Sequence, residues 1–229
     1  MQLKDKRIAV TGAFGALGAA VVHAAIAAGA KVAAIDRADT PPAELATAKC
    51  LGGVDLSDTE AAQRAIDAAA QALGGLDALV NIAGTFRYET LVDGSPDTWD
   101  FLYKINLRTA VAATKAALPH LLEHGNGRIV NVGAASALKA GAGVGAYTAS
   151  KSGVMRMTEA LADELKDRGI TVNAVLPSII DTPPNRKDMP KADFDKWVKP
   201  QQLADVILFL LSDHASAITS ALIPVVGRV

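Results

Sequence analysis

The chain has 229 residues, a length that suits one α/β domain. Half of the residues are apolar and 21% are charged, which is typical of a folded chain with a full core. The formal net charge is −1 with both signs mixed along the chain, so nothing indicates nucleic-acid binding or attachment to an anionic membrane. A single cysteine, Cys50, excludes an internal disulfide. No apolar stretch predicts a secretory signal or a membrane span, so we expect a cytoplasmic protein.

The first half of the chain alternates between short β-branched runs and alanine-rich stretches. The apolar runs predict strands and the alanine-rich stretches predict helices, one of which has Ser57 as its N-cap and Glu60 completing a capping box. In chain order the predicted elements are the strand Arg7–Thr11, the helix Ala16–Ala28, the strands Lys31–Asp36 and Ala48–Val54, the helix from Ser57 to about Gly74, and the strand Asp77–Ile82.

The second half continues the same alternation. Its predicted elements are a long helix from Ser95 or Asp97 to about Glu123, the strand Gly127–Gly133, the helix Tyr147–Arg168, the strand Ile170–Leu176, the helix Gln201–Leu211 and the strand Ala221–Val226. Strands that alternate with helices predict a parallel sheet covered on both faces. The predicted fold is therefore a doubly wound Rossmann α/β domain over residues 1–229, with a seven-stranded and mostly parallel sheet.

The segment Pro183–Lys199 is charged, rich in proline and without clear periodicity. Two interpretations are open: a solvated surface excursion, or a substrate lid in which Met189, Phe194 and Trp197 cover a flat substrate.

A glycine-rich loop lies between the first strand and the first helix, with Gly12, Gly15 and Gly18 in the run Thr11–Gly18. Such a loop turns sharply, lets a pyrophosphate approach the backbone and presents the N–H groups of the following helix to the phosphates. The alternative interpretation is a purely structural turn.

Asp36 ends the second predicted strand, eighteen residues after Gly18. An acidic side chain at this place accepts hydrogen bonds from the adenosine ribose hydroxyls and repels a 2′-phosphate, which favours NAD(H). The neighbouring Arg37 is able to bind a 2′-phosphate, so NADP(H) stays open.

Tyr147 and Lys151 are four residues apart on a predicted helix and share one face. An ammonium beside a phenol stabilises the phenolate, so we predict a lowered Tyr147 pKa that suits a general acid or base. The alternative is that Tyr147 and Lys151 only pack against each other on a surface helix and have no catalytic role.

The order of these motifs, with Asn81-Ile82-Ala83-Gly84 between Asp36 and Tyr147, resembles the short-chain dehydrogenase/reductase family from Arg7 to the C-terminus. The resemblance implies that Tyr147, Lys151 and Asn106 are catalytic. It also implies a nicotinamide cofactor held by residues that follow the strands and by the catalytic pair. These are Gly12, Phe14, Gly15, Leu17, Gly18, Asp36, Arg37, Asp55, Leu56, Asn81, Ala83, Gly84, Tyr147, Lys151, Pro177, Ile180 and Thr182.

Two positions depart from the family pattern. Ala16 stands where the middle glycine is usual, and Ala134 stands where the family has a serine thirteen residues before the tyrosine. A hydroxyl donor to the developing oxyanion contributes about 3 kcal/mol. Ser136 would face the same side as Ala134 in a continued strand, so it is a candidate replacement.

The missing serine, together with Gly133–Leu138 and the stretch Leu176–Trp197, also resembles dihydropteridine reductase. That resemblance implies hydride transfer from NADH to a quinonoid dihydropterin. The main interpretation is an oxidoreductase acting on a small carbonyl, alcohol or C=N compound. A non-catalytic dinucleotide sensor and an isomerase or dehydratase with bound NAD are the alternatives.

The resemblance further implies a homo-oligomer, dimer or tetramer, that pairs through the long alanine-rich helices. The four histidines have no metal-ligand spacing, so we predict no metal site.

Overall fold

The computed structural model describes residues 2–229 and contains one sheet of seven strands. The strands are β1 Arg7–Thr11, β2 Lys31–Ile35, β3 Lys49–Leu51, β4 Ala78–Asn81, β5 Arg128–Val132, β6 Thr171–Pro177 and β7 Leu222–Val225. Their order is β3-β2-β1-β4-β5-β6-β7, and each neighbouring pair is parallel. The order reverses between β1 and β4, so ligands are expected at the carboxyl ends there. The predicted Rossmann fold is confirmed, with a wholly parallel sheet.

Helices cover both faces of the sheet. They are α1 Ala16–Ala27, α2 Thr59–Leu73, α3 Pro96–Leu102, α4 Thr109–Leu122, α5 Gly145–Leu165, α6 Pro183–Asp188 and α7 Pro200–Leu211. Buried side chains of α1 and α7 pack together on one face, and those of α2, α4 and α5 pack on the other. Many of these side chains are alanines, which let the helices lie close to the central strands. Those strands are buried on both faces, which explains their continuous apolar sequence.

The predicted long helix begins where expected and contains an irregularity. The Ser95 hydroxyl accepts a hydrogen bond from the Asp97 N–H at 3.1 Å and caps α3. Residues Tyr103–Arg108 then form a π-helical stretch that leads into α4, and α4 continues through Pro119 to Leu122. The sequence did not predict the π-helical stretch, a feature that is frequent at functional sites. Asn106 lies within it and is buried.

Several predicted boundaries were wrong. The third strand ends at Leu51 rather than Val54, because the backbone turns at Gly53 with φ +70. The cap of α2 is Asp58, whose Oδ1 accepts from the Ala61 N–H at 2.7 Å, whereas Ser57 bonds to Asp55. Helix α5 begins at Gly145, before Tyr147.

The segment Pro183–Lys199 is more ordered than its composition predicted. Thr182 caps α6, and two prolines occupy the first helical positions, where the missing N–H carries no cost. Val198 pairs with Ile180 in a parallel bridge, and Trp197 is buried. Trp197 is therefore part of the fold and is not free to cover a substrate. No helix within residues 2–229 has the length and apolar character needed to cross a membrane.

Candidate active site

The loops after β1 and β4 are joined by backbone contacts. The Thr11 hydroxyl accepts hydrogen bonds from the N–H groups of Ile82 and Ala83 at 3.1 and 3.3 Å. Gly12 has φ +64, and a Cβ on it would lie 2.7 Å from the Ala83 nitrogen. Only glycine allows this conformation and this approach.

The first turn of α1 forms a cradle with bare backbone. A Cβ on Gly18 would collide with the Gly12 carbonyl oxygen, so the helix packs directly on the loop. Gly15 precedes α1 with extended backbone and no side-chain cap, which leaves the first N–H groups of the helix for a ligand. A Cβ on Gly15 would make only ordinary contact at 3.6 Å. Ala16, which stands in place of the usual glycine, is the first residue of α1 and is exposed.

Asp36 is fixed beside this cradle. Its Oδ2 accepts from the Phe14 N–H at 2.9 Å and its Oδ1 accepts from the Ala38 N–H at 3.0 Å. The carboxylate thus faces the start of α1, where the sequence predicts the adenosine ribose, while Arg37 is exposed.

Asp55, which follows β3, is held by a short turn. Its Oδ1 accepts from the Ser57 N–H at 2.9 Å and from the Ser57 hydroxyl at 2.6 Å. These hydrogen bonds hold the pKa of Asp55 below its usual range, so the side chain is ionised at neutral pH.

One cleft of about 270 Å³ joins most of these elements. Its lining is Gly12, Asp36, Arg37, Val54, Asp55, Leu56, Ala83, Gly84, Thr85, Phe101, Ile105 and Thr109. Seven of these residues were predicted cofactor contacts. Val54 and Thr85 are neighbours of predicted residues, whereas Phe101, Ile105 and Thr109 lie on the long helix, and no sequence signal distinguished them from its core residues. Leu17 is a core residue of α1.

The side chain of Asn81, a predicted cofactor-binding residue, is engaged in the interior of the protein. Its amide nitrogen donates to the Thr114 hydroxyl and to the Asn131 Oδ1, both at 2.9 Å, and the side chain is buried. Asn131 in turn donates to Thr158. The two amides bridge β4 and β5 to the helices α4 and α5, and among residues 2–229 the buried Asn81 Oδ1 has no hydrogen-bond partner.

Two of the three catalytic candidates, Asn106 and Lys151, converge beside Gly84. A Cβ on Gly84 would lie 2.8 Å from the Asn106 Oδ1 and 3.2 Å from the Lys151 Nζ. The Asn106 Oδ1 accepts from the Thr85 N–H at 2.7 Å, and its amide nitrogen donates to the Ser150 hydroxyl at 2.9 Å. The π-helical stretch therefore positions Asn106 between the segment after β4 and α5.

Lys151 is almost fully buried, and its ammonium donates to the Val132 carbonyl oxygen at 2.9 Å. Burial lowers the pKa of Lys151 to about 8. Ser150, the preceding residue, donates its hydroxyl to the Tyr147 carbonyl oxygen at 2.7 Å, which links the Asn106 contact to the first turns of α5.

Tyr147 differs from the prediction in its electrostatics. Burial raises the pKa of Tyr147 to about 12, whereas the sequence predicted a lowered value. Part of this burial comes from Phe86, whose ring meets the Tyr147 ring edge-on at a centroid distance of 4.9 Å. The predicted acidification is therefore wrong for the free protein, because desolvation of the phenol exceeds any stabilisation by the cation.

The place of the missing serine is apolar. Ala134 is buried with extended backbone, and Ala135–Ala137 then form a 3₁₀ turn closed by the Ala137 N–H to the Ala134 carbonyl oxygen at 3.1 Å. The strand does not continue, so Ser136 does not alternate back to the side of Ala134, and it is exposed. The prediction that Ser136 replaces the hydroxyl by strand geometry was wrong.

The remaining predicted residues follow β6. Pro177 ends that strand, and the carbonyl oxygen of Ile180 accepts from the Asn185 side chain at 2.8 Å. The Thr182 hydroxyl accepts from the Asn185 N–H as the cap of α6. No group of three His, Cys, Asp or Glu side chains able to hold a metal ion exists among residues 2–229.

The sheet order, the glycine cradle and the buried lysine define a Rossmann-type oxidoreductase. A family model described as short chain dehydrogenase matches residues 6–193. The chain belongs to this family, whose members bind nicotinamide cofactors, and it is an oxidoreductase.

Known proteins resemble the chain over nearly its whole length. The 2-(S)-hydroxypropyl-CoM dehydrogenase 3 of Xanthobacter autotrophicus is 32% identical over an alignment of 247 positions. The alignment covers 99% of this chain and 97% of that protein. The 3-oxoacyl-(acyl-carrier-protein) reductase FabG of Thermotoga maritima is 33% identical over 242 residues, which cover 99% and 98%. A short-chain type dehydrogenase/reductase structure from Mycobacterium ulcerans has a TM-score of 0.90 at 24% identity and covers 100% of this chain and 90% of that one.

Proposed function

We propose that the protein transfers hydride between a nicotinamide cofactor and a small carbonyl, alcohol or C=N substrate, with Tyr147 as the general acid or base. The observation that carries this proposal is the convergence of Asn106 and Lys151 beside Gly84, which itself lines the cleft that reaches Asp36. A structural Tyr–Lys pair on a surface helix would not bury the lysine at the end of a ligand cleft.

The residues present fit the cofactor. The bare cradle formed by Gly12 and Gly18 has no room for a side chain, and the uncapped α1 offers N–H groups to phosphate oxygens. When bound, the nicotinamide supplies or accepts the hydride. Phe14, Gly15 and Leu17 extend the phosphate turn, Leu56 and Asp55 flank the adenine, and Ala83, Gly84, Pro177, Ile180 and Thr182 flank the nicotinamide end.

Tyr147 acts on the substrate oxygen or nitrogen. A phenol with a pKa of about 12 is protonated at neutral pH, so Tyr147 of the free protein carries the proton that reduction requires. The Lys151 side chain is mostly protonated below pH 8, and its ammonium stabilises the phenolate that is left after Tyr147 donates its proton. Asn106 ties the segment after β4 to α5 and keeps both groups in place.

Asp36 supports a preference for NAD(H) over NADP(H). Two backbone N–H groups orient its carboxylate toward the start of α1, where a 2′-phosphate would meet a negative charge. Arg37 is exposed, lines the same cleft and is able to bind a 2′-phosphate. We therefore expect NADP(H) to bind as well, with lower affinity than NAD(H).

We propose a homo-oligomer, dimer or tetramer, in which the face of α3 and α4 is covered. Trp99, Tyr103 and Val111 are large apolar side chains exposed along this helix. Light scattering on the purified protein tests the assembly, and a monomer would contradict it. The cytoplasmic location also stays a proposal, in keeping with the free thiol of Cys50.

A second candidate substrate is a quinonoid dihydropterin. Ala134 favours it, because a conjugated C=N acceptor has less need of the hydroxyl that Ala134 lacks. In this case residues 183–199 would act as a lid through Met189 and Phe194.

The test is NADH and NADPH oxidation by the wild type with a panel of aldehydes, ketones and quinonoid dihydropterin, together with titrated cofactor binding. Turnover of a carbonyl substrate supports the main proposal, and turnover of the pterin alone supports the second candidate. Cofactor binding without turnover of any panel member would favour a sensor and contradict both.

A further inference from the structure

The segment after β4, residues 85–94, forms one wall of the region where a substrate would approach Tyr147. The Glu89 N–H donates to the Gly143 carbonyl oxygen at 2.8 Å, and the Tyr88 ring lies against Gly143, which has φ +74 and no room for a Cβ. The Glu89 carboxylate accepts from the Ser95 N–H at 2.8 Å and from the Thr98 hydroxyl at 2.9 Å. The contacts with Gly143 fix the segment against the loop that precedes Tyr147, and the carboxylate bonds fix it to the start of α3.

This fixed segment places an aromatic ring on the catalytic phenol. The Phe86 and Tyr147 rings meet at 4.9 Å between centroids with an interplanar angle of 75°. Despite this contact, Phe86 remains 59% exposed. Leu138, which directly follows the 3₁₀ turn Ala135–Ala137, is 61% exposed. An apolar ring surface is therefore open to a molecule that approaches Tyr147.

The position at which the family has its serine offers no hydroxyl to a substrate. Ala134 is buried in place of a hydroxyl, and Ser136 is exposed on the 3₁₀ turn. Of the serine and tyrosine hydroxyls of the family pattern, this chain keeps only that of Tyr147, which fixes one atom of a substrate. Apolar contact is available to orient the rest of the molecule, because Phe86 is exposed and its ring lies against that of Tyr147.

We propose that Phe86 is a specificity-determining residue that selects substrates with an aromatic ring next to the reacting carbon. The inference rests on the proposed function and names its substrate class. An aromatic pair in edge or offset geometry is stabilised beyond the area that it buries, so an aryl group is favoured over a cycloalkyl group of equal size.

The first test compares acetophenone with cyclohexyl methyl ketone, each with NADH, in the wild type, Phe86→Leu and Phe86→Ala. The ratio of the two kcat/KM values cancels effects on cofactor binding and on Tyr147. Phe86→Leu keeps apolar area and removes the ring, so we expect the ratio to fall about two- to tenfold, mainly through KM. Leu91→Ala, an exposed position on the same segment, is the control and leaves the ratio unchanged.

The second test does not depend on turnover. Benzyl alcohol and cyclohexylmethanol are titrated into Tyr147→Phe with excess NAD⁺, followed by nuclear magnetic resonance, and the titration is repeated in Phe86→Leu/Tyr147→Phe. The inference is supported if Tyr147→Phe binds benzyl alcohol more tightly than cyclohexylmethanol and if Phe86→Leu/Tyr147→Phe does not. It is overturned if the ratio of the two Kd values is the same in both variants. Absence of ketone turnover in the wild type would count against the proposed function alone, because the binding preference is measured separately.

Discussion

The loops after β1, β2 and β3 and the segment after β4 line one cleft, yet they are held differently. Around Gly12 and Asp36 the backbone fixes the geometry, through a glycine conformation and through an N–H group that binds the Asp36 carboxylate, and we call this the backbone-built half. Around Asn106 one amide side chain ties the Thr85 N–H to the Ser150 hydroxyl, and we call this the side-chain-built half. The first arrangement suits a ligand shared by the whole family, whereas the second is able to vary with the substrate.

The largest expected effect of a substitution concerns the side-chain-built half. Lys151→Met removes the ammonium while it keeps much of the apolar stem, and we expect kcat/KM to fall about 10²–10⁴-fold, the usual contribution of proton-transfer catalysis. Steady-state NADH oxidation measures it, with circular dichroism to show that the fold persists. A rate within twofold of the wild type would mean that the buried lysine serves only the fold.

Gly12→Ala tests the backbone-built half by its effect on the free energy of unfolding. The new Cβ would be strained by φ +64 and would lie 2.7 Å from the Ala83 nitrogen. Gly125→Ala is the matched control, because Gly125 has φ +60 with nothing within 4 Å of its Cβ. The left-handed backbone alone costs about 1–2 kcal/mol in each variant, and overlap adds to it only at Gly12. Equal losses in urea unfolding would show that the close approach to Ala83 is unimportant.

The pH dependence of stability tests the burial of Lys151. Its pKa of about 8 in the folded state lies below the ordinary 10.5, so the unfolded chain binds more protons between these values. Stability from this group is lowest below pH 8 and rises with pH toward 10.5. Between pH 8 and 10 we expect the wild type to gain about 2 kcal/mol relative to Lys151→Met in urea unfolding. A parallel pH dependence in the two proteins would show that Lys151 is solvated.

Asp36→Ala tests the cofactor preference. Loss of the carboxylate removes acceptors for ribose hydroxyls and the repulsion of a 2′-phosphate, so we expect the ratio of kcat/KM for NADH over NADPH to fall about tenfold. Asp39→Ala, an exposed carboxylate three residues further on, is the control. An unchanged ratio in Asp36→Ala would exclude Asp36 as the ribose contact.

The same division explains how far the sequence could predict the structure. The Rossmann fold and the glycine-rich turn follow from local patterns, because strands alternate with helices and closely spaced glycines precede the first helix. The position of Asn106 on the π-helical stretch and the core position of the Asn81 amide depend on partners distant in sequence. The raised pKa of Tyr147 also escaped prediction, since it depends on burial that includes Phe86, a residue that no motif identified.

The central claim is that the Tyr147 hydroxyl donates the proton at the far end of the cofactor cleft. Its most direct test is the single-turnover rate of NADH oxidation in Tyr147→Phe at saturating substrate, together with the Kd for NADH. We expect the rate to fall about 10²–10⁴-fold while the Kd stays within about twofold of the wild-type value, because the ring and its Phe86 contact remain. A single-turnover rate equal to that of the wild type would contradict the claim.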